Sequence, residues 1–326
     1  MRLLTRADFD GLACGALLEY LGIIDEWEFV HPADVQNGFV EATENDVVAN
    51  IPYIKGCKLW FDHHQSETER LGKAFFEKKD IPSPVMFSTP TQMQWEVIKV
   101  SWNAPSCARV VYEYYRNQVS DKNLECFETM LNYVDKVDSG NLTAEEILNP
   151  QGWILLGFIM DPRTGLGRFA QFTINNMDMM KLLSHACGTM DIAEILNLPD
   201  VVERVDLYFK QDKLFREMIQ KCTQIEDNVI ILDLREADPI YAGNRFLLYT
   251  LFPEQNISIT LLNSVDTDKC TIAVGYSIIN KTAALDVGKL LLKYQGGGHQ
   301  HVGTCQVSYT VVDQVLREVI DACKQA

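Results

Sequence analysis

Acidic side chains stand directly after the first apolar segment of the chain. Asp8 and Asp10 flank Phe9, and Gly11 follows them. Two carboxylates separated by one residue can face the same crevice if the turn is tight. A helix that opens at Gly11 would point its backbone N–H groups toward the same place. The alternative is an aspartate-rich turn that only caps this helix.

A second group, Asp62-His63-His64, ends another apolar segment. Carboxylate and neutral imidazole are ligands that suit manganese, zinc or iron. Two adjacent histidines are usually a surface feature, but Asp-His-His at the end of an apolar strand is much rarer. The strand predicted between the two groups starts at Asp46 and ends before Asn50. Which of these two residues reaches the site stays open.

The predicted order of elements explains how these residues could meet. Short apolar segments alternate with helical segments in the first third of the chain, which predicts a Rossmann-like α/β domain with a parallel sheet. Ligands bind outside the carboxyl ends of the strands in such sheets. Asp8, Asp10, Asn50, Asp62 and His63 should therefore share one edge. In outline this is a two-metal site, with ions about 3.5–4 Å apart.

Later segments offer further candidates. Asp135 and Asp138 lie near a predicted helix end, and the alternative is an ordinary charged end of that helix. Asp161 opens a loop that could instead bind a phosphate through the guanidinium of Arg163 or Arg168. His31 ends the second predicted strand and could supply a further ligand.

Three consecutive glycines near the end of the chain, Gly296, Gly297 and Gly298, precede His299, and His301 follows. Glycine lets the backbone approach an anion closely and present its N–H groups. His299 could then donate a hydrogen bond to a phosphate. A flexible hinge is the alternative, although a helix is predicted before the glycines and a strand after them.

Length and composition predict two domains. The chain has 326 residues, of which 47% are hydrophobic, so it can bury more than one core. We expect a parallel-sheet domain over 1–197, a linking helix over 198–226 with apolar residues at helical spacing, and a smaller α/β domain with a mixed sheet over 227–326.

Charge and cysteine usage exclude several classes of protein. The net charge of −16 argues against binding of long duplex nucleic acid, which needs a basic stripe. No apolar segment approaches the roughly 20 residues of a membrane-spanning helix, and the N-terminal residues do not read as a secretory signal. The nine cysteines show no zinc-ligand spacing. We therefore expect a cytoplasmic protein with reduced thiols.

Together the motifs resemble the DHH phosphoesterase family with its associated C-terminal domain. Asp8-Phe9-Asp10-Gly11 is similar to the first motif, Asp62-His63-His64 to the motif that names the family, and Gly296–His299 to the glycine-rich motif of the second domain. Leu4 stands where the family commonly has histidine, and Asn50 where it commonly has aspartate.

The resemblance implies a metal-dependent phosphoesterase that uses one or two divalent ions, with Mn²⁺ expected. The implied substrates are short: oligoribonucleotides, cyclic or linear dinucleotides, or nucleoside bisphosphates. Asp62, His63 and His64 would be catalytic, with His64 positioning the phosphate or protonating the leaving oxygen. The implied metal ligands are Asp8, Asp10, Asn50, Asp62, His63 and Asp138. The glycine motif and Arg163 would bind substrate. A homodimer is compatible with this expectation, and the alternatives are an exopolyphosphatase and a nucleotide-binding protein without catalysis.

Overall fold

The computed structural model describes residues 1–64, 66–72, 75, 97–119, 122–169, 171–264, 268–298 and 300–325. The chain forms two compact units. The first consists of Met1–Asn141, Gln151–Pro162 and Gly167–Val205. The second consists of Leu142–Pro150, Arg163–Leu166 and Asp206–Ala326.

The first unit contains a parallel sheet in the strand order β2-β1-β3-β4-β5. The strands are β1 (Arg2–Thr5), β2 (Glu26–Phe29), β3 (Asp46–Ala49), β4 (Leu59–Asp62) and β5 (Val97–Val100). Leu3, Val48 and Trp60 are fully buried. Continuous burial of this kind is typical of parallel strands covered on both faces. The predicted parallel α/β domain is confirmed.

Helices follow the strands along the chain. They are α1 (Phe9–Tyr20), α2 (Pro32–Gln36), α3 (Ser66–Leu71), α4 (Cys107–Tyr115), α5 (Glu128–Asp138), α6 (Ala144–Leu148), α7 (Gly152–Met160), α8 (Asn176–Cys187), α9 (Ile192–Leu196), α10 (Pro199–Cys222), α11 (Leu247–Leu251), α12 (Val287–Leu292) and α13 (Val312–Cys323). Short 3₁₀ turns cover Leu124–Phe127, Pro162–Thr164 and Leu166–Arg168. No helix in the described ranges is long and apolar enough to cross a membrane.

The second unit contains a mixed sheet in the order β10-β11-β9-β8-β7-β6, as expected. The strands are β6 (Thr223–Glu226), β7 (Val229–Asp233), β8 (Ile257–Asn263), β9 (Lys269–Tyr276), β10 (Gly297–Gly298) and β11 (Val302–Ser308). β7 and β8 pair in parallel, and the other neighbouring strands of this sheet pair antiparallel. Alternate residues such as Ile259 and Ile272 form one core with residues of α12 and α13, including Leu291 and Val319.

The linking helix predicted over 198–226 ends earlier in the structure. α10 stops at Cys222, and Thr223–Glu226 forms β6, which pairs antiparallel with β7. Asp227 has a φ of 55° in the two-residue turn between these strands. Tight hairpin turns require positive φ at such positions, and aspartate tolerates it. The hairpin therefore contains Thr223–Glu226, which the helical spacing had assigned to the linking helix.

Two isoleucines of the second sheet differ in burial, so substituting each distinguishes the effect of burial from that of strand propensity. Ile259 is fully buried, whereas Ile225 is 41% exposed. We expect Ile259→Ala to lower the free energy of unfolding by about 2–5 kcal/mol, because it removes buried methyl groups and leaves a cavity. Ile225→Ala should cost about 1 kcal/mol or less. Urea unfolding of both variants tests this, and equal losses would contradict the assigned core.

Candidate metal centre

The turn after β1 brings two aspartates to the start of α1. Asp8 is the N-cap residue, and its Oδ1 accepts a hydrogen bond from the N–H of Gly11 at 3.0 Å. Asp10 follows in the first turn and is 2% exposed. A Cβ on Gly11 would lie 2.0 Å from the carbonyl oxygen of Arg6. The close approach of backbone in this turn therefore requires glycine at position 11.

The start of α4 binds the carboxylate of Asp10. The backbone N–H groups of Cys107 and Ala108 donate to Oδ2 and Oδ1 at 2.9 and 2.8 Å. Ser106 caps the helix by accepting from the N–H of Arg109. The first N–H groups of a helix have no intrahelical partner and carry partial positive charge. They hold Asp10 in place and partly balance its charge.

His63 presents one ring nitrogen to the carboxylates. Its Nδ1 lies 3.2 Å from the carbonyl oxygen of Ala104. Since a carbonyl can only accept, Nδ1 carries the proton and the neutral ring has its lone pair on Nε2. Nε2 is buried without a hydrogen-bond partner, 3.3 Å from Asp138 Oδ2 and 3.7 Å from Asp10 Oδ2.

Asp10, His63 and Asp138 form a compact cluster of potential metal ligands (the ligand cluster). One ligand atom from each lies within 4.8 Å of the other two. Burial raises the pKa of Asp10 well above its usual value, and the charges of Asp138 and Asp8 raise it further, although the N–H groups of α4 oppose this. Carboxylates placed this close repel one another. A divalent cation would remove that repulsion.

Asp62 completes the surroundings of His63. Its Oδ1 accepts from the backbone N–H groups of His63 and His64 at 2.8 and 3.3 Å, and lies 2.7 Å from His64 Nδ1. Its Oδ2 is buried and has no hydrogen-bond partner. A buried polar atom without a partner is costly. The unsatisfied Asp62 Oδ2 and His63 Nε2, together with the clustered carboxylates, fit a resident divalent metal ion.

His64 is held by Asp62. Burial acts to lower the pKa of His64, but the hydrogen bond to Asp62 and the charges of Asp62, Asp138 and Asp10 raise it to about 9. The ring is therefore protonated at neutral pH. A bound cation would offset the effect of Asp10 and Asp138, whereas the hydrogen bond to Asp62 would remain.

Asp8 and Asn50 lie at the same edge but in a different environment. Asn50 Nδ2 donates to Asp8 Oδ1 at 3.0 Å, and Asn50 has a φ of 58°, which asparagine tolerates. Arg6 Nε forms an ion pair with Asp8 Oδ2 at 3.1 Å. No role for Arg6 was predicted from the sequence motifs. Its position two residues before Asp8 in the same turn was the available signal.

The other positions considered in the first unit have different contacts. Asp46, at the start of β3, is bound by Arg2 at the opposite end of the sheet. Leu4 is buried in a core cluster. The carboxylate of Asp135 accepts hydrogen bonds from Arg109 and Ser106. His31 Nδ1 accepts a hydrogen bond from the N–H of Ala33 at the start of α2. Asp161 is the C-cap residue of α7.

The glycines of the second unit lie against β11. Gly297 and Gly298 pair with Thr304 and Gly303. A Cβ on Gly296 would lie 2.4 Å from Thr304 O, and one on Gly298 would lie 2.2 Å from Val302 O. Close backbone packing therefore requires glycine at both positions. The ring centroids of His301 and Tyr276 lie 4.8 Å apart with the planes tilted by 35°. Arg163 is exposed in a 3₁₀ turn, and His299 lies outside the described residues.

Comparison with known proteins places the chain in a family. No family model and no curated protein matches it. Among solved structures, the pGpG-specific phosphodiesterase PggH from Vibrio cholerae is 40% identical, covers 99% of both chains and has a TM-score of 0.78. The chain belongs to the DHH phosphoesterase family. It is thus a hydrolase that acts on phosphoester bonds.

More distant DHH phosphoesterases share the fold. An exopolyphosphatase-related protein from Bacteroides fragilis is 11% identical, covers 99% of this chain and 91% of its own, and has a TM-score of 0.51. RecJ from Thermus thermophilus, solved in complex with Mn²⁺, is 12% identical over 100% of this chain and 52% of its own, with a TM-score of 0.53. The cluster formed by Asp10, His63 and Asp138 could hold a divalent cation.

The two aspartates near the end of α5 provide a matched pair. Asp138 faces His63, whereas Asp135 is bound by Arg109. We expect Asp138→Asn to weaken Mn²⁺ binding at least about 10-fold, because loss of even indirect ligand support costs that much. Asp135→Asn should change the affinity by less than about threefold. Isothermal titration calorimetry measures both, and similar losses would remove Asp138 from the ligand set.

Gly11→Ala should distort the turn that carries Asp8 and Asp10. Its Cβ would overlap backbone, so we expect a loss of at least about 1–3 kcal/mol in the free energy of unfolding and weaker Mn²⁺ binding. Gly188→Ala is the control, because the atom nearest to its Cβ, in Phe127, would lie at 3.5 Å, an ordinary van der Waals distance. Urea unfolding and calorimetry check both variants. A stable Gly11→Ala protein with unchanged affinity would show that the turn can rearrange.

Proposed function

We propose that this protein is a metal-dependent phosphodiesterase that hydrolyses short linear dinucleotides, with pGpG as the preferred substrate and Mn²⁺ as the preferred metal. The observation that carries the proposal is the buried His63 Nε2, which lies between two carboxylates and lacks a partner. The 40% identity to a pGpG-specific phosphodiesterase over 99% of both chains supports the substrate.

Asp10, His63 and Asp138 would hold the metal ion, with Asp62 Oδ2 as a further available ligand atom. Mixed carboxylate and imidazole ligands suit Mn²⁺. When bound, the ion would lower the pKa of a water toward about 7 and polarise the phosphoryl group. The described residues prepare this centre before substrate arrives, because α4 orients Asp10 and Ala104 orients His63.

His64 is the proposed proton donor. Asp62 Oδ1 accepts from Nδ1, which fixes the ring and leaves Nε2 as the nitrogen that could face a phosphoryl or leaving oxygen. A protonated imidazole there can hydrogen-bond to the phosphate and transfer a proton to the departing alkoxide, a role that contributes about 10²–10⁴-fold to rate. Asp62 thereby orients the ring of His64 and also accepts from the backbone N–H of His63.

Gly296–Gly298, His299 and Arg163 of the second unit are proposed to bind substrate. Exposed Arg163 can pair with a phosphate. The net charge of −16 favours a small phosphorylated substrate over long duplexes. No cysteine in the described residues forms a disulfide, which is consistent with the proposed cytoplasmic location. A homodimer is part of the same proposal.

A substrate panel tests the proposal. We expect the Mn²⁺-loaded protein to cleave pGpG faster than a cyclic dinucleotide, adenosine bisphosphate or polyphosphate. Asp62→Ala/His63→Ala should reduce the rate by at least about 100-fold, since it removes a ligand and the anchor of His64. His185→Ala, at a 70% exposed histidine outside the cluster, is the control. Chromatography of released mononucleotides measures each rate.

Each other outcome points to a different activity. Cleavage of polyphosphate alone would replace the proposal with an exopolyphosphatase. Binding of pGpG and metal without any cleavage would identify a nucleotide-binding protein. Equal rates for the double variant and the wild type would show that Asp62 and His63 do not form the active centre.

A further inference from the structure

Nitrogen donors surround the carboxylate of Asp8. Its Oδ1 accepts from the Gly11 N–H and from Asn50 Nδ2, each at 3.0 Å. Its Oδ2 lies 3.1 Å from the Nε of Arg6. A carboxylate has about four lone-pair positions in total. Three of them face nitrogen atoms here, so little of the Asp8 carboxylate remains available for a cation.

The ligand cluster shows the opposite pattern. His63 Nε2 is buried without any hydrogen-bond partner and faces Asp10 and Asp138. Asp62 Oδ2 is likewise buried and without a partner. One side of the centre therefore has unused lone pairs for a metal ion. On the other side, at Asp8, the lone pairs are already engaged.

Arg6 supplies a permanent positive charge on the Asp8 side. A guanidinium stays protonated at any ordinary pH and offers five N–H donors in a planar arrangement that matches phosphate. Its side chain is 31% exposed, and Asp8 is its ion-pair partner within the described residues. A divalent ion bound at Asp8 would be repelled by this charge.

The neighbouring positions lack the ligands that a second ion would need. Asn50 contributes a neutral amide whose nitrogen points at Asp8, so this position adds no negative charge. Leu4 is fully buried in an apolar cluster and can ligate nothing. His31 Nδ1 accepts a hydrogen bond from Ala33 at the start of α2. Asp8, the acidic residue next to Asn50, is already paired with Arg6.

We propose that the centre holds one divalent ion, at Asp10, His63 and Asp138, and that Arg6, anchored on Asp8, takes the place of a second ion as a fixed positive charge for the substrate phosphate. Asp8 is then a positioning residue for Arg6 and not a metal ligand. The role of Arg6 toward substrate rests on the proposed function, but the number of bound ions does not.

Metal stoichiometry tests this directly. Equilibrium dialysis against Mn²⁺, followed by elemental analysis, should give one ion per wild-type chain. Arg6→Ala/Asn50→Asp removes one positive charge and adds one negative charge, and aspartate tolerates the positive φ at position 50. We expect this variant to bind two ions. Its electron paramagnetic resonance spectrum should change from that of a single ion to that of an exchange-coupled pair.

Two controls separate charge from disruption. Arg6→Lys/Asn50→Asp keeps the positive charge and should bind fewer ions than Arg6→Ala/Asn50→Asp. Arg235 pairs with Asp233 two residues away, as Arg6 pairs with Asp8, and it is 21% exposed. Arg235→Ala should leave the stoichiometry at one. Urea unfolding confirms that each variant is folded.

Two ions in the wild type would overturn the inference, and so would one ion in a folded Arg6→Ala/Asn50→Asp variant. A wild-type protein without bound Mn²⁺ would contradict both this inference and the proposed function. One bound ion with no cleavage of any nucleotide in the panel would contradict the proposed function alone. The wild-type stoichiometry decides the first point even if the double variant does not fold.

Discussion

Concentrated negative charge at the carboxyl edge of the parallel sheet is the constraint on which the first unit depends. Asp8, Asp10 and Asp62 are all buried there, and Asp138 approaches from α5. Burial and mutual repulsion both oppose ionised carboxylates. The fold offsets this with N–H groups from the start of α4, with the ring of His64 and with Arg6. A divalent cation can balance the negative charge that these groups leave.

Each compensating group also sets a geometry. The N–H groups that stabilise Asp10 fix its two oxygens, and the carbonyl of Ala104 selects the His63 tautomer with its lone pair on Nε2. Asp62 orients His64 through one oxygen and keeps the other without a partner. Ligands held in this way lose little conformational entropy when metal binds. The same contacts that make the buried charges tolerable therefore preorganise the centre for catalysis.

The glycines of the second unit have a packing role that the sequence motif did not indicate. Gly296 and Gly298 allow β10 to lie against β11 at distances that no Cβ permits. The segment is thus ordered by sheet pairing up to Gly298, and the hinge alternative does not hold for this part. Backbone approach and anion binding are compatible, because both need glycine where a side chain would intervene.

Sequence patterns by themselves determined the parallel sheet, the mixed sheet and the motif residues, because apolar periodicity, caps and strand ends are local properties. They also placed Asp10 and His63 on the correct edge, since parallel strands end together. Only tertiary structure showed that Asp138 faces His63 whereas Asp135 is bound by Arg109. It likewise showed that Asp8 is paired with Arg6 and that Asp46 lies at the far end of its strand. Such choices depend on contacts between segments, and spacing along the chain does not carry that information.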